Sequence, residues 1–157
     1  EEWHLSEPFI GFTMALNGLL IAVIEMVLVY RLEGRRPYLH YISAGVLLIG
    51  LSYAMLNGSA VYAVSLAILS SIVITIGEML SMPFMNSFWI RRTTNSNRGQ
   101  YAGLYTMAWS MAQVVGPLTS GQVAEKYGYD VLWWATGGIC LLLSIIYWLL
   151  QKFAANK

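Results

Sequence analysis

Charge divides this chain into five. Apolar stretches run over about residues 8–30, 38–57, 60–90, 101–122 and 131–151, and nearly every charged residue falls in the short gaps between them. Each stretch is close to or longer than the roughly 20 residues that cross a bilayer as an α-helix. The pattern predicts an all-α membrane protein of five transmembrane helices, forming a single transmembrane helical domain over residues 1–157. Strands of a membrane barrel would alternate apolar and polar positions over about ten residues, and runs such as Leu141-Leu142-Leu143-Ser144-Ile145-Ile146 do not alternate. A soluble helical bundle needs polar outer faces. With 57% hydrophobic and 11% charged residues, against roughly 45–50% and about 25% in ordinary soluble domains, this chain cannot supply them.

Threading five spans through a membrane places Arg31, Arg35, Arg36, Arg91, Arg92, Arg98, Lys152 and Lys157 on one side and only Lys126 on the other. By the positive-inside rule the first side is cytoplasmic. The expected setting is therefore a cell membrane, bacterial inner or plasma membrane, with the N terminus of the chain outside and its C terminus inside. Aromatic residues gather at the two predicted interfaces, Trp3, Tyr53, Tyr62, Tyr127, Tyr129, Trp133 and Trp134 at one and Tyr30, Tyr38, Tyr41, Trp89, Tyr101, Tyr147 and Trp148 at the other. Such belts are where amphipathic rings settle. The third stretch is longer than a bilayer core requires, and Pro83 predicts a bend, because its ring crowds the Met79 carbonyl and supplies no N–H.

Two carboxylates remain inside the spans, Glu25 and Glu78. A charge at bilayer depth costs at least about 2.5–3.5 kcal/mol, so such residues are few and functional. Glu78 falls near the membrane middle. Ser71, Thr75, Glu78, Met82 and Met85 follow one another at helical spacing along one stripe, which would suit a cavity wall with Glu78 carrying a proton or pairing with a cationic substrate. The bland alternative is a protonated glutamate hydrogen-bonded between packed helices. Glu25 lies nearer the cytoplasmic arginines. Asn17, in the same helix, either faces a cavity or joins helices through its amide.

In the fourth span Tyr101, Tyr105, Trp109 and Gln113 recur every four residues, an aromatic face with a polar end; Trp109 and Gln113 are candidate substrate contacts, and a packed aromatic interface is the competing reading. Gly116-Pro117 and the small residues after it read as a packing and hinge element. His4 and His40 lack partners at helical spacing, and Cys140 is the single cysteine, so neither a metal site nor a disulfide is expected. Asn57-Gly58-Ser59 matches a glycosylation sequon and reads better as a turn. No cofactor and no nucleic-acid partner is expected.

The loop Arg31-Leu32-Glu33-Gly34-Arg35-Arg36-Pro37 resembles the short glycine and arginine loop of the major facilitator superfamily, and the preceding Ala15-Leu16-Asn17-Gly18-Leu19-Leu20-Ile21 is similar to the eighth helix of its drug and sugar exporter branches. Gly77-Glu78-Met79-Leu80, Pro83, Arg98-Gly99-Gln100-Tyr101-Ala102-Gly103, Gly116-Pro117 and Trp133 resemble helices ten to twelve. The resemblance implies helices eight to twelve of a twelve-helix transporter, with an N-terminal half lying elsewhere. It also implies that Gly34, Arg35 and Arg36 help latch the cytoplasmic ends; the aspartate usual in that loop is absent, and Glu33 stands near its place.

The function that follows is secondary active transport, proton-coupled efflux of small organic compounds by rocking of two halves around a midplane site. The partners implied are the lipid bilayer, the other half, a small-molecule substrate and protons. A non-catalytic membrane subunit whose carboxylates pair with another chain is the alternative. An intramembrane enzyme using Glu25 and Glu78 as acid and base lacks the nucleophile and metal ligands such chemistry needs.

Overall fold

The computed structural model describes residues 7–155, so the expectations placed on Trp3, His4 and Lys157 lie outside the described residues. Five helices make up most of what is described: α1 (Glu7–Leu32), α2 (Tyr38–Met55), α3 (Ala63–Ile90), α4 (Arg98–Tyr127) and α5 (Tyr129–Ala155). One 3₁₀ turn, Ala60–Tyr62, leads into α3. The helices outrun the apolar stretches at several ends, since helical hydrogen bonding continues through interfacial polar residues such as Arg98, Glu125 and Lys126. At the second stretch the reverse holds. Successive bonds from the N–H groups of Leu56, Asn57 and Gly58 to Tyr53, Ala54 and Met55 close α2 early, and Asn57 to Ser59 form a turn.

By length and composition α1, α2, α3 and α5 can each cross a membrane. The 30-residue α4 is diluted by glycine, serine, threonine and glutamine, and contains no buried residue. Crossing by α4 rests on its place between two spanning helices rather than on apolarity. α3 runs unbroken through Pro83.

Packing follows a simple order. α2 lies between α3 and α5, α1 rests on the other flank of α3, and α4 rests on α5. In a membrane little hydrophobic force draws helices together, so small residues and interhelical hydrogen bonds must do so. Both are present on α2. A methyl carbon added to Gly45 would lie 2.6 Å from the Gly77 carbonyl oxygen, and one on Gly77 would lie 2.8 Å from that of Gly45. The two backbones are therefore in direct contact. On the opposite face, Ser43 Oγ donates to the Ser144 carbonyl and Ser144 Oγ to the Ser43 carbonyl, both at 2.9 Å. This exchange, wholly buried, ties α2 to α5.

The tightest side-chain packing sits near the arginine-bearing end. Phe84, 1% exposed, stacks on Tyr41 with ring centroids 4.5 Å apart and joins Leu39 and Ile42 in a core flanked by Val29, Leu32 and Tyr147. At the other end Tyr53 stacks on Trp133 at 5.8 Å. The Asn57 amide, set to satisfy both partners, donates to Asp130 Oδ1 (3.1 Å) and to its carbonyl (3.2 Å). Elsewhere the apolar side chains point outward, among them Phe12, Met26, Val64, Leu104 and Leu142. The chain exposes 10730 Å², against about 7,900 Å² for a compact soluble protein of this mass. Many large apolar side chains contribute to this exposed area, as expected of a protein whose solvent is lipid.

Candidate functional site

Glu78 lies near the middle of α3 and Asn17 near the middle of α1. Asn17 Nδ2 donates to Glu78 Oε2 at 3.2 Å across the α1–α3 contact. Local sequence explains why Glu78 faces α1. Its neighbours Gly77, Met79 and Ser81 are buried, the first and last against Gly45 of α2. The 100° step per residue then turns Glu78 aside from α2. Both members of the pair are half-buried. Among the described residues Glu78 Oε1 makes no hydrogen bond, and it is not a fully buried atom. One carboxylate oxygen is thus held by an amide while the other stays open to a proton, a cation or water.

The expected stripe beside Glu78 does not form one continuous wall. Thr75 is fully buried and its hydroxyl donates to the Ser71 carbonyl at 2.6 Å, while Ser71 donates to Ala67. Met85 packs against the Phe84 core, and Met82 is exposed. Hydroxyls that bond their own helix one turn back are satisfied without a ligand. Of the five, Glu78 alone presents polar atoms away from its helix.

Other expected site residues lie apart from the pair. Glu25 is two turns beyond Asn17 on α1, half-buried and without a hydrogen bond among the described residues. Because α4 packs on α5 rather than along α3, Trp109 and Gln113 are not brought against Glu78; Trp109 is 45% exposed and Gln113 is exposed. Of the aromatic face on α4, Tyr105 stacks on Trp89 at 5.9 Å, whereas Tyr101 is 43% exposed. The packed aromatic interface is therefore limited to one pair.

Gly116 and Pro117 are exposed on α4. Pro117 leaves the Gln113 carbonyl without its usual helical donor, while Thr119 and Ser120 hydroxyls donate to the carbonyls of Val115, Gly116 and Pro117. Gly116 opens on a cavity of about 520 Å³ that also meets Tyr53, Thr119, Trp133 and Thr136.

At the arginine-bearing end, Gly34 adopts φ +78°, a left-handed turn that glycine takes without strain. It reverses the chain between α1 and α2. Gly34, Arg35 and Arg36 line a cavity of about 310 Å³ with Pro37, Tyr38 and Arg91. Arg91 belongs to the end of α3 and was not singled out by the loop motif. Its place in the charge map beside Arg35 and Arg36 was the available signal. Among the described residues no three His, Cys, Asp or Glu side chains gather as a metal site.

Comparison with known proteins places these features in context. The family model of the Major Facilitator Superfamily matches residues 1–157. The chain is 23% identical over 155 residues to a Na(+), Li(+), K(+)/H(+) antiporter of Planococcus maritimus, covering 97% of this chain and 35% of that protein. It is 24% identical over 86 residues to the uncharacterised MFS-type transporter YhjO of Bacillus subtilis (strain 168), covering 53% of this chain and 21% of that protein. It is 36% identical over 76 residues to the MFS-type transporter SLC18B1 of Mus musculus, covering 47% and 15% respectively. The chain spans between 15% and 35% of the length of these relatives. No solved structure matches it.

Proposed function

The chain belongs to the Major Facilitator Superfamily, and on that premise we propose that it forms part of a secondary active transporter exporting small organic compounds in exchange for protons. Family and relatives indicate a multi-pass membrane transporter rather than an enzyme. The observation that carries the finer reading is the Asn17–Glu78 pair, a carboxylate at mid-helix depth with one oxygen held and one open.

Exchange follows from electrostatics. Carried across the membrane without a partner, the Glu78 carboxylate meets the penalty of a buried charge; with a proton or a cationic substrate it is close to neutral. Proton and cation would then compete for one site, and the empty, charged form would resist reorientation. The Asn17 amide keeps Oε2 in place and leaves Oε1 for the exchanged species. A ligand shifts two conformations only by binding one of them better, and a carboxylate shared between α1 and α3 supplies that difference if the helices part in one state. Glu25, Trp109 and Gln113 belong to this proposal as contacts made when the second half of the transporter closes over α1, α3 and α4. Gly34, Arg35 and Arg36 serve as the latch at the cytoplasmic end, and Pro83, Gly116 and Pro117 as the points where α3 and α4 yield. The protein sits in a cell membrane with the arginine-bearing end in the cytoplasm.

A second reading, exchange of Na⁺, Li⁺ or K⁺ for protons, is favoured by the likeness over 97% of the chain to an antiporter so described. The open carboxylate oxygen of Glu78 suits a monovalent inorganic cation as well as an organic one.

The test is reconstitution of the full-length transporter in proteoliposomes under an imposed pH gradient, with ethidium and with each alkali cation as cargo. Glu78→Gln is expected to lower gradient-driven flux by roughly 5–150-fold, the usual span of coupling between two sites. Undiminished gradient-driven flux of the variant removes Glu78 from the role. Flux of alkali cations alone selects the second reading.

A further inference from the structure

A cluster outside the transport site gathers at the arginine-bearing end. Arg35 and Arg36 come from the turn after α1 and Arg91 from the end of α3, and all three line one cavity of about 310 Å³ whose remaining walls are Gly34, Pro37 and Tyr38. Three guanidinium groups drawn together repel one another unless an anion sits among them. The one acid in the turn, Glu33, accepts from the Tyr38 hydroxyl at 3.3 Å, and it does not line the cavity. Among the described residues no carboxylate forms a hydrogen bond with Arg35, Arg36 or Arg91.

The cluster is also held in place. The Arg91 guanidinium lies 4.9 Å from the centre of the Tyr38 ring, a cation–π contact that fixes its direction, and Tyr38 is in turn packed against the buried Phe84 at 5.7 Å. The neighbouring Arg92 turns elsewhere, onto the Phe88 ring at 3.8 Å. The left-handed turn at Gly34 (φ +78°) brings Arg35 and Arg36 round to the same opening.

We propose that Arg35, Arg36 and Arg91 form a binding site for a phosphate group, with Tyr38 as its floor. Guanidinium forks match phosphate oxygens two at a time, and a singly charged phosphodiester satisfies several of them at once. The cavity opens at the helix ends, where the phosphate of an anionic lipid headgroup lies at the same depth. A free phosphate shares the chemistry and is the other source. The site does not depend on the role given to Glu78.

The test uses the full chain, purified in mild detergent and then offered phosphatidylglycerol, phosphatidylcholine or inorganic phosphate. Retained lipid is read by native mass spectrometry and stabilisation by the shift in melting temperature. Wild type is expected to retain phosphatidylglycerol in preference to phosphatidylcholine. Losing a charge-assisted hydrogen bond to a phosphate weakens binding roughly tenfold or more, so Arg35→Gln with Arg91→Gln is expected to lose at least about 100-fold. Arg92→Gln with Arg98→Gln removes the same net charge at the same end and is expected to lose no more than about 25-fold, the roughly fivefold per basic residue of non-specific attraction to an anionic surface. If the first pair fails to fold, Arg36→Gln, which leaves the Tyr38 contact intact, is expected to weaken retention roughly tenfold or more. Stabilisation by inorganic phosphate without a preference for phosphatidylglycerol supports the site and assigns it to a free phosphate. Equal losses in the two double variants, or no response to either anionic ligand, overturns it.

Discussion

Asn17 and Glu78 differ from the neighbouring hydroxyl residues of α3 in what they bond to. Thr75, Ser71 and Ser81 return their hydroxyls to their own helix, whereas the Asn17 amide crosses from α1 to α3. Interhelical hydrogen bonds within membranes average about 0.6 kcal/mol and reach about 1.7. Asn17→Leu is accordingly expected to destabilise the protein by no more than about 1.7 kcal/mol, read from unfolding in mixed micelles, while lowering pH-gradient-driven flux severalfold. A variant that loses stability and retains full coupled flux would reduce Asn17 to helix glue. Glu78 was legible as a candidate because a carboxylate amid apolar residues carries a known cost. Asn17 was a candidate too, but its pairing with Glu78 was not legible, because the two are 61 positions apart and only the packing of α1 on α3 decides which of α1's polar groups reaches it.

At the scale of elements, the α2–α3 crossing depends on two bare backbones. Gly45→Ala would place its methyl within 2.6 Å of the Gly77 carbonyl and 2.8 Å of the Ser81 nitrogen. These are backbone atoms that cannot rotate away, and the expected cost is about 1–3 kcal/mol. A melting temperature unchanged by Gly45→Ala would contradict the crossing. On the other face of α2, alanine at Ser43, at Ser144 and at both is expected to give a coupling energy of about 0.6–1.7 kcal/mol, since the paired hydroxyls bond each other's backbone. A coupling near zero would mean that the two helices are held by shape alone. Helix number and approximate limits could be read from where charges interrupt apolarity. α4 is the instructive exception, since glycine, serine, threonine and glutamine dilute its apolarity below that of the other four helices. Its aromatic period Tyr101, Tyr105, Trp109 could not by itself tell which side packs.

For the whole molecule, the arginine-bearing turns and the α5 end come together. Arg91 of the α3 end reaches Tyr38 after the first turn, and Tyr147 near the end of α5 packs against the Phe84 core at the same end. Lys126, over Tyr127, lies at the opposite end of α4 from Arg98. In a background with Cys140 replaced by serine, single cysteines at Arg36 and Arg92 are expected to react with an impermeant thiol reagent only from the cytoplasmic face, and one at Lys126 only from outside. Labelling of Arg36→Cys and Arg92→Cys from opposite faces would refute the topology. Charge asymmetry along the chain made this arrangement legible before any contact was known; which arginines share a cavity required the fold.

The central claim, that Glu78 couples proton movement to substrate movement, is tested most directly by the gradient at which net flux reverses in proteoliposomes of the full-length transporter. With substrate fixed on both sides and the pH difference varied, wild type is predicted to reverse at a substrate ratio that moves with the pH difference. Glu78→Gln is predicted to reverse at equal substrate concentrations whatever the pH difference. A reversal point in the variant that still follows pH as in wild type would contradict the account.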